Sequence, residues 1–438
     1  MKTVHFKLIK KILLGLLALI ISLFIIGYLA FYFFVQTNLD YYKNELVKEI
    51  SKATNKKVTI ETFDASWNIT NPRFIIKDFS IYADSSEKAF TFEKFEVDIS
   101  WMSLLKFELV LDQVTLYDLA VEIQKNSETD YLIGGWKVSY DPNSNDEFDG
   151  KLINWLLNQD EVQMINAKII WIDKTRANSP PLVLNDINLS YSTSDILSYL
   201  DRHLFYLDFF SSAGTKEKIS LSGHFDADSI NELLKADGAL SFKFDAFNLY
   251  AFSPWIDYPL TIKDGTGSLS INIEFENGRL KEGGSSFSVQ NLNANTIDNP
   301  KQGLVFKDIS GEFEYKLVND DINIILDNLF LTTNSKLQFE DSAASIKYNF
   351  ETNQINKATL VVDRFDLGSV KEISNQFLPE EHRVNVIINE LQARGEIDDL
   401  KLKWDRTGDE EEPNLKLKAK FLELEINEFE SFPGLDRK

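Results

Sequence analysis

The sequence predicts a mainly β protein, a long antiparallel sheet with a few short helices, carried behind one N-terminal membrane helix. Three observations lead there. The N-terminus holds an uncharged apolar run, most of the remaining chain alternates apolar and polar residues, and the composition is rich in aromatics and empty of cysteine.

The apolar run is Ile12 to Val35, ILLGLLALIISLFIIGYLAFYFFV. At 1.5 Å per residue it spans about 36 Å, enough for a ~30 Å hydrocarbon core with some tilt. A cleaved signal peptide would carry only ~7–15 apolar residues before a small-x-small site. This run is longer and ends in Tyr28, Phe31, Tyr32, Phe33 and Phe34, which resemble an interfacial belt. The expected anchor residues are Ile12, Leu13, Leu14, Leu16, Leu17, Ile20, Ile21, Phe24, Ile25, Ile26, Phe31 and Phe34. Lys2, Lys7, Lys10 and Lys11 precede the run with no acid among them. Positive residues stay inside, so 1–11 is expected to be a cytoplasmic tail and everything after Val35 to face outward.

Residues 36–57 are expected to form a juxtamembrane amphipathic helix. Leu39, Tyr42, Leu46, Ile50 and Ala53 recur at three- and four-residue steps, and Asn55 can end the helix in a left-handed conformation. Its simplest role is a stalk that lifts the following domain off the membrane.

From residue 58 to 438 the dominant period is two. Leu221, Gly223 and Phe225 alternate with Ser220, Ser222 and His224, and Leu240, Phe242 and Phe244 alternate with Ser241, Lys243 and Asp245. Leu269, Ile271, Ile273 and Phe275 share one face of GSLSINIEFE, and Leu415, Leu417, Ala419 and Phe421 alternate with Lys416, Lys418 and Lys420. Strict alternation gives each strand one apolar and one watered face, unlike the all-apolar strands of a buried parallel sheet. Helical patches are expected near Leu152–Leu157, Asp195–Leu204, Ser229–Ala236 and Ser369–Phe377.

One phrase recurs at irregular spacing: an apolar alternation, a central Asp, then another apolar alternation. It appears as FIIKDFSIY (74–82), LVLDQVTLY (109–117), LVLNDINLSY (182–191), LVFKDISGEF (304–313), IILDNLFLTT (324–333) and LVVDRFDLGS (360–369). Asp bonds its own backbone and tolerates turns, so it marks a bend or bulge between strand segments. Irregular spacing argues against a strict solenoid or propeller. The phrases also lack the clustered carboxylates of a Ca²⁺ loop.

Composition excludes several functions. A net charge of −22 disfavours nucleic acid, which needs basic patches. With no cysteine there are no disulfides, thiolate metal sites or Cys nucleophiles. No G-x-S-x-G elbow, P-loop or G-x-G-x-x-G fingerprint occurs. The four histidines (His5, His203, His224, His382) do not pair at metal-ligand spacing, and the acidic run Asp409–Glu412 reads as a solvated loop. The chain is expected to be no enzyme and to need no cofactor.

The order of anchor, amphipathic helix, VTIETFDASW (58–67) and NPRFIIKDFSIY (71–82) resembles the start of AsmA-like proteins. Two longer stretches, 155–191 and AFNLYAFSPWIDYPLTIKDGTGSLSINIEF (246–275), resemble the YhdP-type branch. Relatives often carry Gly where Asn55 stands and are typically far longer, so the chain is expected to be an N-terminal portion.

The resemblance implies a long twisted antiparallel sheet folded into an open apolar groove. It implies a bacterial inner-membrane anchor, a periplasmic bulk, and a lipid conduit that moves phospholipid between inner and outer membranes. Roughly 20–25 strands spaced about 4.8 Å apart would make a trough on the order of 100 Å long. Its expected partners are phospholipid acyl chains, the inner membrane and an outer-membrane or periplasmic acceptor. Expected lining residues are Leu221, Phe225, Leu240, Phe242, Phe244, Leu269, Ile271, Ile273, Phe275, Leu415, Leu417 and Phe421. The alternatives are an assembly factor for outer-membrane components, or an anchored β-sandwich whose two apolar faces cover each other.

Overall fold

The computed structural model describes residues 2–68, 71–82, 88–100, 110–139, 157–194 except 178, 202–227, 235–296 except 259, 303–318, 321–333, 338–350, 354–368, 394–406 and 414–425, with isolated positions between.

Helix α1 spans Lys2–Phe31 and passes into a π-helical turn at Tyr32–Gln36. Within it, Leu14–Gln36 is long and apolar enough to cross a membrane. The last turn leaves carbonyls without helical partners. Thr37 Oγ1 donates to Phe33 O at 2.6 Å and Asn38 Nδ2 donates to Phe34 O at 3.0 Å. Helix α2 (Leu39–Thr54) opens with Asp40 and closes with Lys52, charges that complement its dipole. It stops at Asn55, whose φ of 51° is left-handed.

Two compact units follow from the contacts, Met1–Ala177 with Val183–Ser194, and Asn178–Leu182 with Asp195–Lys438. The first unit carries β1 (Val58–Asn68), β2 (Asn71–Tyr82), β3 (Lys88–Ile99), β4 (Leu111–Tyr117), β5 (Ala120–Lys125), β6 (Asp130–Ile133), β7 (Trp136–Ser139), β8 (Glu161–Asp173) and most of β9 (Leu182–Ser194). Strands β1 to β4 pair antiparallel in order. Helix α2 does not stand as a stalk: it packs along β1, with Lys43 Nζ donating to Glu61 O.

The sheet is mainly antiparallel, and in this unit it is mixed, because β4 and β5 both pair parallel with β8. The long chain between β5 and β8, with the β6–β7 hairpin inside it, supplies the crossover that a parallel pair requires. Asp118, between β4 and β5, is left-handed and faces left-handed Asn166 of β8, to which it is hydrogen-bonded.

The second unit is an antiparallel meander of eleven strands: β10 (Arg202–Ser211), β11 (Ile219–Asp226), β12 (Asp237–Asn248), β13 (Leu260–Glu276), β14 (Arg279–Thr296), β15 (Gly303–Val318), β16 (Asp321–Thr333), β17 (Gln338–Asn349), β18 (Gln354–Asp366), β19 (Arg394–Asp405) and β20 (Asn414–Glu425). Each strand bonds to the next. A short helix, α3 (Leu249–Phe252), lies between β12 and β13, and the Asn248 side chain caps α3 by accepting the Ala251 N–H; Glu232, Leu367, Gly368, Lys371 and Ser374 are also helical. The helical patch expected to reach Leu204 is corrected, since Arg202–Leu204 already belong to β10. Residues 152–156, 195–201, 229–231, 233–234, 369–370, 372–373 and 375–377 of the expected patches lie outside the described residues.

Left-handed residues recur inside the strands at Asp78, Asn166, Asp186, Ala246, Asn291, Asn328, Asp399 and Glu423. Two of the six Asp phrases place their Asp there (Asp78, Asp186), and a third places the neighbouring Asn328 there; Asp112, Asp308 and Asp363 keep negative φ. Asn and Asp enter this conformation at lower cost than other side-chain-bearing residues. Each such residue shifts the alternation by one place, so residues three apart meet on the same face. Phe244 and Phe247, either side of Ala246, stack at 4.0 Å, and Ile397 and Leu400, either side of Asp399, share one cluster.

Candidate functional site

The registers of the second unit put one apolar face across all eleven strands. Opposite pairs run Phe205–Gly223, Leu207–Leu221 and Phe209–Ile219, then Leu221–Phe242 and Gly223–Leu240. They continue through Phe242–Ile271, Leu240–Ile273 and Phe244–Leu269. Beyond β13 come Leu269–Phe287, Phe287–Gly311, Tyr315–Ile324, Ile324–Ile346 and Ala344–Leu360. The series ends with Leu360–Leu402, Leu402–Leu417 and Trp404–Leu415. Directly opposed residues in a ladder share a face, so these side chains form one surface.

Part of this face is closed. Phe244, Phe247, Ile262, Leu292 and Phe306 form a core with Leu249 and Phe252 of α3, and Trp255 and Tyr258 pack against it. Trp255 Nε1 donates to Pro180 O at 3.1 Å, which pins the segment after α3 in place. Burial raises the Tyr258 phenol above its ordinary pKa.

The rest of the face has less cover. Ile271, Ile273, Phe275, Ile324 and Leu402 are half-buried, and Ile346 is 38% exposed. Leu415 and Leu417 are 62% and 66% exposed, and Phe421 is also exposed. Leu221, Phe225, Leu240, Phe242 and Leu269 are half-buried as well. Phe244 differs from the other expected lining residues: at 7% exposure it belongs to the closed core, not to an open surface. Tyr315 lies over Gly283, where a methyl group would stand 2.5 Å from the phenol oxygen and 2.4 Å from Asn272 O. The Tyr315 hydroxyl is buried, and that burial raises its pKa.

The opposite face is polar. Lys316 pairs with Glu282 at 2.6 Å, and Lys347 pairs with Asp321 at 2.7 Å. Asp398 lies between Lys420 at 3.0 Å and Arg364 at 3.3 Å. The hydrogen bond from Lys420 holds the Asp398 carboxyl below its ordinary pKa, and the bond from Lys347 does the same to Asp321. A depression of about 860 Å³ is lined by Lys316, Lys347, Lys357, Lys401 and Lys403 together with Glu282 and Glu314. Lys401 stands opposite Lys418, and Lys403 opposite Lys416.

In the first unit, Phe31 corrects the expected lipid-facing belt. It is 8% exposed because its ring lies edge-on to Trp67 of β1 at 5.5 Å and to Phe74 of β2 at 5.9 Å. Phe24 and Tyr28 also meet Trp67, at 5.5 and 5.4 Å. Leu14, Leu16, Leu17, Ile21, Ile25, Ile26 and Phe34 remain exposed, while the side chains of Ile12, Leu13 and Ile20 lie outside the described set. The period of α1 gave no sign of this contact, since almost every position in it is apolar. The only hint was a tryptophan at the end of a strand.

Among the described residues, no three His, Asp or Glu side chains come together as a metal site. His203 is buried, stacked on Phe225 at 4.8 Å and hydrogen-bonded to Ala227 O, which is a packing role. His224 is half-buried on the polar side of β11.

Fold and surface together define a β-sheet protein led by an apolar helix, whose second unit bears an apolar face across its strands. The YhdP protein family model matches residues 1–437, so the chain belongs to the YhdP family. Comparison with the curated proteins gave no match.

Proposed function

We propose that the chain is a membrane-anchored lipid conduit, whose apolar sheet face carries phospholipid acyl chains between the inner and outer membranes of a bacterial envelope. One observation carries this reading. At Ile271, Ile273, Phe275, Ile324, Ile346, Leu402, Leu415 and Leu417 the apolar face stays half-buried or exposed, although burying a Leu or Ile side chain stabilises by about 1.5–3 kcal/mol. Acyl chains are ligands that such a long, unfeatured surface suits, because they need contact and exclusion of water but no directed polar group. The polar back keeps the outside of the sheet in water. Membership of the YhdP family agrees with a transport role and with the lack of catalytic motifs. Lys2, Lys7, Lys10 and Lys11, which precede the apolar run, support a cytoplasmic N-terminus and a periplasmic sheet.

The test is mass spectrometry of lipid extracted from the full chain after purification and extensive washing. Phospholipid retained in stoichiometric amount is the expected result. A protein that emerges lipid-free and fails to take up labelled phospholipid from vesicles would sink the proposal.

A further inference from the structure

The first hairpin returns to the helix that precedes the sheet. Trp67, near the end of β1, touches Phe24, Tyr28 and Phe31, three residues on one stripe of α1. Tyr28 lies eight residues before Gln36, so the contact is about 12 Å inside the end of the apolar span.

A second ruler gives a similar depth. Helix α2 leaves the membrane end at Leu39 and β1 runs back alongside it, since Lys43 bonds to Glu61. A depression of about 560 Å³ is lined by Gln36–Tyr41 on one side and Glu61–Asp64 on the other, which sets the helix end level with those strand residues. Trp67 lies three residues beyond Asp64, about 10 Å further along the strand.

Two polar side chains at this end, Asn68 and Arg73, are bonded to one carboxylate on the face away from Trp67. Arg73, one residue from Phe74 and therefore on the other face, donates to Asp98 at 2.5 and 2.7 Å. Asn68 donates to the same carboxylate at 3.1 Å. Strand backbone tolerates hydrocarbon only where its polar groups are paired or covered by protein, and here β1 is bonded to β2 and flanked by the helices.

We propose that the β1–β2 hairpin is itself inserted in the membrane, its Trp67 end lying among the acyl chains of the leaflet at the Gln36 end of α1. The apolar side of the first unit's β1 and β2 then begins inside the hydrocarbon, at Phe63, Trp67 and Phe74, and a lipid tail reaches these residues without crossing water. This rests on the reading of α1 as a membrane-spanning helix.

The chain lacks cysteine, so single-cysteine variants take an environment-sensitive fluorophore at one place only. The full chain is reconstituted into phosphatidylcholine vesicles with or without bromine at mid-acyl chain, labelled at Leu29→Cys, Ser66→Cys or Glu61→Cys. Ser66 and Glu61 are both exposed in the structure. The expected result is blue-shifted, bromine-quenched emission at Leu29→Cys and Ser66→Cys, and water-like, unquenched emission at Glu61→Cys. A second expected result is loss of quenching at Ser66 when Trp67→Ala is added. Quenching at Leu29 without quenching at Ser66 would overturn the insertion and leave the anchor standing. No quenching at Leu29 would remove the spanning helix, and the inference with it.

Discussion

Phe244 and Ile271 stand on the same apolar face of neighbouring strands, yet only Phe244 is closed over, by Phe247 and Phe252. Phe242, directly opposite Ile271, meets Phe244 at 6.1 Å and marks the border between the packed and the open parts of the face. The two positions therefore respond differently to charge. Phe244→Asp buries an unpaired carboxylate and removes an aromatic ring, so it is expected to lower stability by about 3–5 kcal/mol or prevent folding. Ile271→Asp can hydrate its charge, so it is expected to fold with its melting midpoint nearly kept and to lose lipid binding. Asn272→Asp, on the polar side, serves as the control. Circular dichroism melts and lipid retention read both outcomes, and an unfolded Ile271→Asp would show that this part of the face is closed as well.

Gly283→Ala is expected to destabilise by about 1–3 kcal/mol, because its methyl group would meet Asn272 O and the Tyr315 phenol. Its neighbour Gly284 has no atom closer than 3.8 Å at the same position, so Gly284→Ala is expected to be near neutral. Urea denaturation of the pair separates steric conflict from the general effect of removing a glycine.

Two pairs of lysines face each other across β19 and β20, Lys401 with Lys418 and Lys403 with Lys416. Directly opposed like charges destabilise a sheet. Lys418→Glu is expected to raise stability by about 0.2–1 kcal/mol per pair at low salt, with the gain shrinking as salt screens it. A drop in stability at low ionic strength would show that the lysines are not repelling each other.

Asp398 gives the sheet an acid-sensitive joint. The Lys420 bond, with help from Arg364, lowers its pKa in the folded state. A lowered carboxylate pKa contributes stability that is fully present above the ordinary unfolded value and lost as pH falls through the folded one. Asp398→Asn is therefore expected to lower stability at neutral pH and to flatten the decline below about pH 4. Melting temperatures of both proteins across that range check the sign.

A phosphatase fused after Lys438 is expected to be active only if the sheet leaves the cytoplasm. Replacing Lys2, Lys7, Lys10 and Lys11 with Gln should weaken that orientation, since positively charged flanks resist translocation. Activity unchanged by the four substitutions would show that other residues set the topology.

The strands were legible because alternation is a local signal, and the pairing of Phe242 with Ile271 follows once neighbours are joined in order. The parallel contacts of β4 and β5 with β8 were not, because they depend on a crossover that no local pattern announces. Helix α3 was missed because four residues are too few to show a period. That left no warning that Phe244 would be covered while Ile271 stayed open. Phe31 was misjudged for the opposite reason: in an all-apolar helix no face stands out, and its partner Trp67 lies 36 residues away in the chain.

The left-handed residues inside the strands act like a change of reading frame. Upstream of Asn291 the apolar face is written at Phe287 and Val289, and downstream it is written at Leu292 and Ala294, one place out of phase. Removing Asn291 would bring Phe287, Val289, Leu292 and Ala294 into plain alternation on one face, whereas deleting a residue elsewhere in the strand would turn the part beyond it inside out. Single-residue deletions away from these points should therefore harm the protein far more than deletion of the left-handed residue itself. In such a sheet the count of residues matters as well as their composition.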